Sequence, residues 1–319
     1  MFVKIQLVMG IVSFVLTILA VYIILPILKK LKIGQIERRE GVQSHLSKAG
    51  TPTMGGICML IPIALVLGIA AIWYPILILP LILILGFGFV GFIDDRKKLV
   101  FKSTDGITAM QKMLLLFVVA ALYIVAYFVI FNMSTELVIP FIKDSLIAPL
   151  GIYILLMVFI LLGGSNAINL TDGLDGLAAG ICCIVMAFFT IIAIKLNDMP
   201  CVILGATVVG STLGFLIFNI KPAKMFMGDT GSLALGGALV AISSMLNRPI
   251  YLAIVLFIPV LETLSVLMQV IYFKITHGKR LFKMAPLHHH LELSGMKEEK
   301  VVILFWILTF ILCCIAYFV

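Results

Sequence analysis

Residues 75–95 read PILILPLILILGFGFVGFIDD, nineteen uncharged and mostly apolar residues followed by two aspartates. Crossing the hydrocarbon of a bilayer, about 30 Å thick, takes about 20 apolar residues, so residues 75–93 predict a transmembrane helix. Backbone polar groups find no partners in lipid, which makes a helix the expected form of such a segment. The paired acids then mark the point where the chain reaches water.

The same pattern recurs along the chain. Of its 319 residues, 63% are hydrophobic and 12% are charged, and no polar segment is long enough to build a soluble core. We therefore expect an all-α membrane protein with a single polytopic domain over residues 1–319. Ten transmembrane helices are predicted, at about 5–28, 53–73, 75–93, 111–131, 148–165, 177–195, 201–218, 232–247, 250–273 and 301–319.

The basic residues predict the orientation of these helices. All but four of the 23 Lys and Arg residues follow odd-numbered spans, and the exceptions are Lys4, Lys143, Lys195 and Arg248. Cytoplasmic loops carry the excess of Lys and Arg in membrane proteins. Both termini are thus expected outside, with the catalytic loops on the cytoplasmic face. Residues 132–149 form the one outer loop of any length, which we expect to contain a short hairpin.

Asp94 and Asp95 form the first candidate site. Two adjacent carboxylates resist ionising together unless a cation or basic groups offset their charge, and Arg96, Lys97 and Lys98 follow them. A divalent metal would serve this purpose, and a solvated helix end is the alternative. Acids near a helix C-terminus oppose the helix dipole, which favours a functional role.

Two further cytoplasmic loops place aspartates beside glycines and polar side chains. Residues 169–176 (NLTDGLDG) lie between the fifth and sixth spans, and Asp172 and Asp175 share a face if the sixth helix begins there. Residues 226–232 (FMGDTGS), with Asp229, precede the eighth span. Such groups at a helix N-terminus can bind phosphate or a phosphate-bound metal. Helix capping is the alternative explanation for both.

The loop before the tenth span contains three consecutive histidines, His288, His289 and His290. Neighbouring side chains on a helix point about 100° apart, so the three cannot all bind one metal. One or two of them could contact phosphate or shuttle protons. The nearby Arg280 and Lys283 favour such a role.

Two other features are less specific. Residues 48–56 (KAGTPTMGG) could meet an anion through Lys48 and exposed backbone amides, although ordinary loops that enter a helix look the same. Glu262 lies inside the ninth span, where an ionisable group is costly and usually faces protein or water. Glu262 could have a functional role, or it could only take part in polar packing. Pro259 is expected to kink or break that helix.

Together these loops indicate phosphoryl transfer at a membrane surface. Hard oxygen ligands beside phosphate suit Mg²⁺ better than zinc. A cytoplasmic face with a net positive charge would attract both an anionic soluble substrate and an anionic lipid.

These motifs, in this order and in these loops, resemble those of the polyprenyl-phosphate N-acetylhexosamine-1-phosphate transferases. The segments are 48–56 (KAGTPTMGG), 92–95 (FIDD), 169–176 (NLTDGLDG) and 226–229 (FMGD), and the resemblance covers essentially the whole chain. Residues 285–292 (APLHHHLE) are the most discriminating, because family members that use other sugars usually replace part of this run.

The resemblance implies a reaction and its partners. Phospho-MurNAc-pentapeptide would pass from UDP-MurNAc-pentapeptide to undecaprenyl phosphate, giving lipid I and UMP, the first membrane step of peptidoglycan synthesis. It implies a bacterial cytoplasmic (inner) membrane, Mg²⁺ as cofactor and a homodimer, and no nucleic acid partner. The kinked ninth span would help form a groove for the polyprenyl chain.

The resemblance also implies roles for single residues. Asp229 would be a ligand of Mg²⁺, Asp94 would deprotonate or position the lipid phosphate with Asp95 beside it, and His288 would act near the diphosphate. Residues expected to contact the substrates are Lys48, Lys98, Lys112, Asn169, Asp172, Asp175, Asn219, Phe226 and His289. Phe226 would stack on uracil.

Three alternatives compete with this interpretation. A transferase of the same family that uses UDP-GlcNAc would share most motifs but not the histidine run. A transporter for an anion or lipid should place ionisable groups near the bilayer midplane, where Glu262 is the one candidate in the sequence. A membrane scaffold without catalysis would leave the cytoplasmic motifs unexplained.

Overall fold

The computed structural model describes residues 2–30, 50–101, 106–142 and 144–319, with side chains from residue 7 onward. This part of the chain is almost entirely helical. Its α-helices are α1 Phe2–Lys30, α2 Gly56–Ala70, α3 Ile78–Val100, α4 Ala109–Val125, α5 Leu150–Thr171, α6 Leu177–Leu196, α7 Met199–Asn219, α8 Gly228–Met245, α9 Leu252–Val255, α10 Phe257–Ile275, α11 Leu287–Leu293 and α12 Glu298–Phe318.

Eight of the described helices are long and apolar enough to cross a membrane, which confirms an all-helical membrane protein. They are α1 from Leu7, α3 with the preceding turn from Pro75, α4 continued to Ile130, and α5, α6, α7, α10 and α12. The remaining two predicted spans are shorter or more polar. α2 has 15 residues, about 22 Å of helix, and α8 begins with the polar sequence GDTGS.

α8 is the central helix, because every residue from Thr230 to Met245 is buried. Its glycines allow neighbouring helices to approach its backbone closely. Gly231 lies against Gly56 of α2, Gly236 against Ser165 of α5, and Gly237 against α3. This packing fixes the N-terminal turn of α8, which carries Asp229, between three other helices.

The predicted break in the ninth span is confirmed. α9 ends at Val255 and α10 begins at Phe257. Proline has no N–H, and its ring collides with the carbonyl of the residue four positions earlier. For Pro259 that residue is Val255, so the interruption falls where the proline requires it.

The short hairpin predicted within residues 132–149 is also confirmed. Strands β1 Glu136–Leu137 and β2 Leu146–Ile147 pair antiparallel. The end of α8 holds this loop, because Val138 donates its N–H to the carbonyl of Asn247 at 2.8 Å.

One glycine of α3 is required by this packing, and we predict that Gly91→Ala destabilises the protein. A Cβ at position 91 would collide with the carbonyl of Asp229 at the α3–α8 contact. Since a backbone cannot move aside like a flexible side chain, overpacking should cost about 1–3 kcal/mol or more. The measurement is thermal unfolding of the purified protein in detergent, with activity as a second readout.

Gly68→Ala provides the matched control. Gly68 is exposed on α2 with nothing within 4 Å of an added Cβ, and alanine is the better helix former by about 1 kcal/mol. We expect the Gly68 variant to unfold no earlier than wild type. A Gly91 variant as stable as the Gly68 variant would show that the α3–α8 contact is not close.

Candidate active site

Three aspartates from two helices meet at one end of the bundle. Asp94 and Asp95 lie in α3, which continues five residues beyond them, and Asp229 lies in the first turn of α8. Each offers an oxygen within 4.8 Å of the others. Asp94 and Asp95 are buried, 3% and 4% exposed. Carboxylates so close and so little hydrated need positive charge nearby.

Two lysines and an asparagine supply partners for Asp229. Its Oδ2 accepts from Lys112 Nζ at 2.8 Å and from Lys98 Nζ at 3.1 Å. Its Oδ1 accepts from Asn169 Nδ2 at 2.9 Å, and Asn169 Oδ1 accepts from Lys112 at 3.0 Å. The structure thus joins α3, α4, α5 and α8 at one carboxylate, and four sequence-predicted residues meet there.

Asp94 and Asp95 have different surroundings. Asp95 accepts from the N–H groups of Asp229 and Thr230 and, at 2.6 Å, from the Thr230 hydroxyl. Both of its oxygens therefore hold the start of α8. Asp94 instead pairs with Lys98 at 2.6 Å and accepts from the N–H of Ile107 at 2.8 Å.

The segment between α5 and α6 forms a turn, so the condition under which Asp172 and Asp175 would share a helix face is not met. α5 ends at Thr171 and α6 begins at Leu177, after Gly176 in the left-handed conformation.

Within this turn, Asp175 braces the loop that leads to α8. Its Oδ2 accepts from Ala223 N–H at 3.0 Å. Asn219 Oδ1 accepts from Gly176 N–H at 3.1 Å, and Asn219 Nδ2 donates to the Met225 carbonyl. Asp175 and Asn219 are both buried, so they bind parts of the protein in this structure.

Asp172 remains partly exposed at the start of the turn. Burial of its carboxyl, together with the negative charges of Asp229, Asp95 and Asp175, raises the pKa of Asp172 well above its usual range. This carboxyl therefore takes up a proton more readily than an ordinary aspartate.

Phe226 lies beside the loop that enters α2. Its N–H donates to the Pro52 carbonyl at 2.7 Å, and the Gly55 and Gly56 amides donate to the carbonyls of Phe226 and Met227 at 2.8 Å. The expectation that the amides of residues 48–56 are exposed to an anion is therefore wrong for Gly55 and Gly56. Lys48 lies outside the described residues. The Phe226 side chain is partly exposed.

The three histidines of α11 have three different partners, as the 100° spacing of helix positions predicts. His288 Nδ1 lies 2.9 Å from Glu262 Oε2, and His289 Nδ1 lies 3.0 Å from Glu292 Oε2. His290 Nδ1 accepts from the N–H of Lys283 at 3.2 Å.

Comparison with known proteins gives the family. A profile described as glycosyl transferase family 4 matches residues 77–247, and a phospho-N-acetylmuramoyl-pentapeptide-transferase signature matches residues 48–58. The phospho-N-acetylmuramoyl-pentapeptide-transferase of Caldanaerobacter subterraneus is 45% identical over 306 residues, 96% of both chains. The chain belongs to the phospho-N-acetylmuramoyl-pentapeptide-transferase family. The transferases so named from Halalkalibacterium halodurans and Bacillus subtilis are 50% and 45% identical, covering 93% and 92% of this chain and 91% of each relative.

Membership in the phospho-N-acetylmuramoyl-pentapeptide-transferase family decides between the alternatives left by the sequence. The chain is a membrane enzyme, which excludes the transporter and the scaffold without catalysis. It also separates the chain from transferases of other sugars, in agreement with the histidine run.

Sequence reasoning missed several contacts around this candidate site. Glu262 was noticed as a buried acid, but its pairing with His288, 26 positions later, has no local signal. Thr230 was seen only as part of a glycine-rich helix start, and its contact with Asp95 was not expected. The contacts of Glu298 were also not predicted. Glu298 accepts from the N–H of Asp175 at 3.1 Å and pairs with Lys221 at 3.0 Å.

The donor atoms of the site fit a hard divalent cation. Mg²⁺ prefers carboxylate oxygens and is usually held by one or two of them together with substrate phosphates. The cluster of Asp94, Asp95 and Asp229 offers such oxygens. Asp94 and Asp229 suit this role better than Asp95. Lysine side chains bind one oxygen of Asp94 and one of Asp229 and can move aside, whereas each Asp95 oxygen accepts from a backbone N–H of α8.

Proposed function

We propose that the enzyme transfers phospho-MurNAc-pentapeptide from UDP-MurNAc-pentapeptide to undecaprenyl phosphate, giving lipid I and UMP. The observation that carries this proposal is the Asp229 carboxylate, bound by Lys98, Lys112 and Asn169 beside Asp94. This arrangement brings the lysine and aspartate charges together in a largely buried site. Anionic phosphates that enter it can exchange partners with the carboxylates.

The reaction joins two anions, so it must overcome their repulsion. An oxygen of the lipid phosphate attacks the phosphorus next to the sugar, and the bond from that phosphorus to the UMP oxygen breaks. UMP leaves with the electron pair. Lys98 and Lys112 offset the charge of both phosphates and of the departing UMP. Catalysis of this kind consists mainly of positioning and electrostatics.

The carboxylates have distinct roles in this proposal. Asp94 positions the lipid phosphate and accepts its proton where one is present, while Asp95 keeps the start of α8 in place. Asp229 and Asp94 would hold Mg²⁺, which supplies Lewis-acid stabilisation of the phosphate oxygens when bound. We favour direct attack over a covalent enzyme intermediate because it needs no additional step.

The remaining residues would bind the substrates. Phe226 stacks on uracil with its partly exposed ring. Lys48 contacts the same substrate in this proposal. In the sequence it lies four residues before Pro52, whose carbonyl accepts from the Phe226 N–H. Asn169 and Asp172 line the adjoining nucleotide pocket, braced from behind by the remaining polar residues. These are Asp175 and Asn219. His288 and His289 act near the diphosphate, and the His288 ring lies against the turn at Gly173.

The proposed topology has ten spans within a single domain over residues 1–319. α2 and α8 complete the set. α8 is enclosed by longer helices, and α2 buries one face against its neighbours while residues such as Leu65 and Ile69 stay exposed. Both termini lie outside, and the site faces the cytoplasm of a bacterium, as the distribution of Lys and Arg favours. We also expect a homodimer.

A transferase assay on purified protein in detergent tests the function. With undecaprenyl phosphate as acceptor, we expect UMP and lipid I from UDP-MurNAc-pentapeptide and none from UDP-GlcNAc. Turnover of UDP-GlcNAc would keep the chemistry and refute the substrate. Absence of UMP with either donor, from folded protein and with Mg²⁺ present, would refute the proposed reaction.

A further inference from the structure

A carboxylate from another helix holds the His288 side chain. Glu262 of α10 is fully buried and His288 is 1% exposed. Glu262 Oε2 lies 2.9 Å from His288 Nδ1, and Glu262 Oε1 accepts from the backbone N–H of His288 at 3.1 Å. Glu262 thus binds both the backbone and the ring of one residue.

When Glu262 is ionised, these contacts determine which nitrogen of the His288 ring carries the hydrogen. An ionised carboxylate only accepts hydrogen bonds, so the nitrogen that faces it must donate. Nδ1 of His288 therefore carries a hydrogen. In the neutral ring, Nε2 is then the nitrogen with the free lone pair.

Nε2 of His288 is buried, and it has no hydrogen-bond partner among the described residues. Gly173 lies against it, and a side chain at position 173 would collide with the ring. Buried polar atoms are nearly always hydrogen-bonded, and exceptions call for an explanation. This nitrogen points at the turn that contains Asp172, on the edge of the candidate site.

We propose that Glu262 is a positioning residue for the transfer reaction. It holds the His288 ring with Nδ1–H toward α10 and so presents Nε2, as a proton acceptor, to the substrate at the 172–173 turn. This inference rests on the proposed function, in which His288 acts near the diphosphate. It gives the buried acid of the ninth span a role in the chemistry.

The same face of α10 also holds the loop before His288, which provides a control. Gln269 lies two turns after Glu262 and accepts from the N–H groups of Leu281 and Phe282 at 3.0 and 2.9 Å. Gln269 binds backbone only and makes no described contact with the His288 ring. Gln269→Ala therefore loosens the same loop without changing the tautomer of His288.

Glu262→Gln is the informative variant because it keeps the shape of the side chain and moves the hydrogen of the His288 ring from Nδ1 to Nε2. The backbone N–H of His288 needs an acceptor, so the amide oxygen takes the place of Oε1. The amide NH₂ then faces Nδ1, which must accept, and the hydrogen moves to Nε2. We expect kcat to fall about 10- to 100-fold, as for loss of a group that orients a functional histidine, with a smaller change in KM.

Nitrogen NMR of the protein labelled with ¹⁵N-histidine tests the tautomer directly. The signals of His288 are assigned by their loss in His288→Asn. We expect the Nδ1–H tautomer in wild type and the Nε2–H tautomer in Glu262→Gln. The same tautomer in both proteins would overturn the proposal, because a purely structural role of Glu262 would leave it unchanged.

A double-mutant cycle provides the kinetic test. His288→Asn keeps a donor toward Glu262 but removes Nε2, so Glu262→Gln should add no further loss in that background. Gln269→Ala should add the same loss in both backgrounds. Fully additive losses for Glu262→Gln, or wild-type activity of that variant, would overturn the inference alone. Wild-type activity of His288→Asn would instead refute the proposed role of His288.

Discussion

Replacing Asp229 by Asn is expected to lower the transferase rate by at least about 10³-fold, the scale seen when a group that stabilises transition-state charge is lost. Both oxygens of Asp229 accept from donors, Oδ2 from Lys98 and Lys112 and Oδ1 from Asn169. The amide NH₂ of an asparagine would have to face one of these donors in either orientation. The substitution therefore removes a charge and breaks the contacts that join α3, α4 and α5 to α8.

Asp198→Asn is the matched control for that variant. Asp198 caps the start of α7 by accepting from Cys201 N–H at 3.0 Å, and asparagine is an equally good N-cap. We expect wild-type activity and stability from it. The measurement is UMP release at saturating substrates, with size-exclusion and thermal unfolding to show that both variants fold. A folded Asp229 variant within about tenfold of wild type would contradict the proposed role.

Removal of divalent cations by EDTA is expected to reduce product formation to background, and Mg²⁺ should restore it. Within the three-carboxylate cluster, Lys98 and Lys112 offer two positive charges against Asp94, Asp95 and Asp229, before any phosphate enters. The phosphates of the substrates add further negative charge. The two lysines alone therefore cannot neutralise the negative charge of the site once both substrates are bound.

Thermal unfolding gives a readout of the metal that does not depend on activity. A ligand that binds the folded state at 100 times its Kd stabilises that state by about 2.7 kcal/mol. Mg²⁺ should raise the unfolding temperature of wild type and have a much smaller effect on Asp229→Asn. Full activity in EDTA, or an equal shift in both proteins, would contradict metal binding at Asp229.

Local sequence was enough to predict the long helices and the motifs of the candidate site. Lipid selects apolar helices by length and composition, so the runs that begin with residues 75–93 could be recognised one at a time. The break near Pro259 followed from the chemistry of a single residue. The motifs with Asp94, Asp172 and Asp229 were visible because each occupies a few consecutive positions.

Contacts between distant segments could not be predicted in this way. The pairing of Glu262 with His288, and of Asp95 with Thr230, depends on how separate helices pack. The sequence left open whether α6 begins before Asp172, and in the structure Gly176 is in the left-handed conformation and α6 begins at Leu177. The amides of Gly55 and Gly56 were expected to be free, and the neighbouring loop binds them.

The sequence by itself determined the class of the protein, its long helices and the residue types of its candidate active site, because hydropathy and short motifs are local properties. Only the tertiary structure decided which carboxylate accepts from which donor, and that the buried Glu262 contacts both the ring and the backbone of His288. The contacts of the three aspartates depend on the close approach of α8 to its neighbours at glycines, and the contact of Glu262 with His288 depends on the packing of α11 against α10. In both cases, distances between backbones from remote parts of the chain determine which side chains can meet.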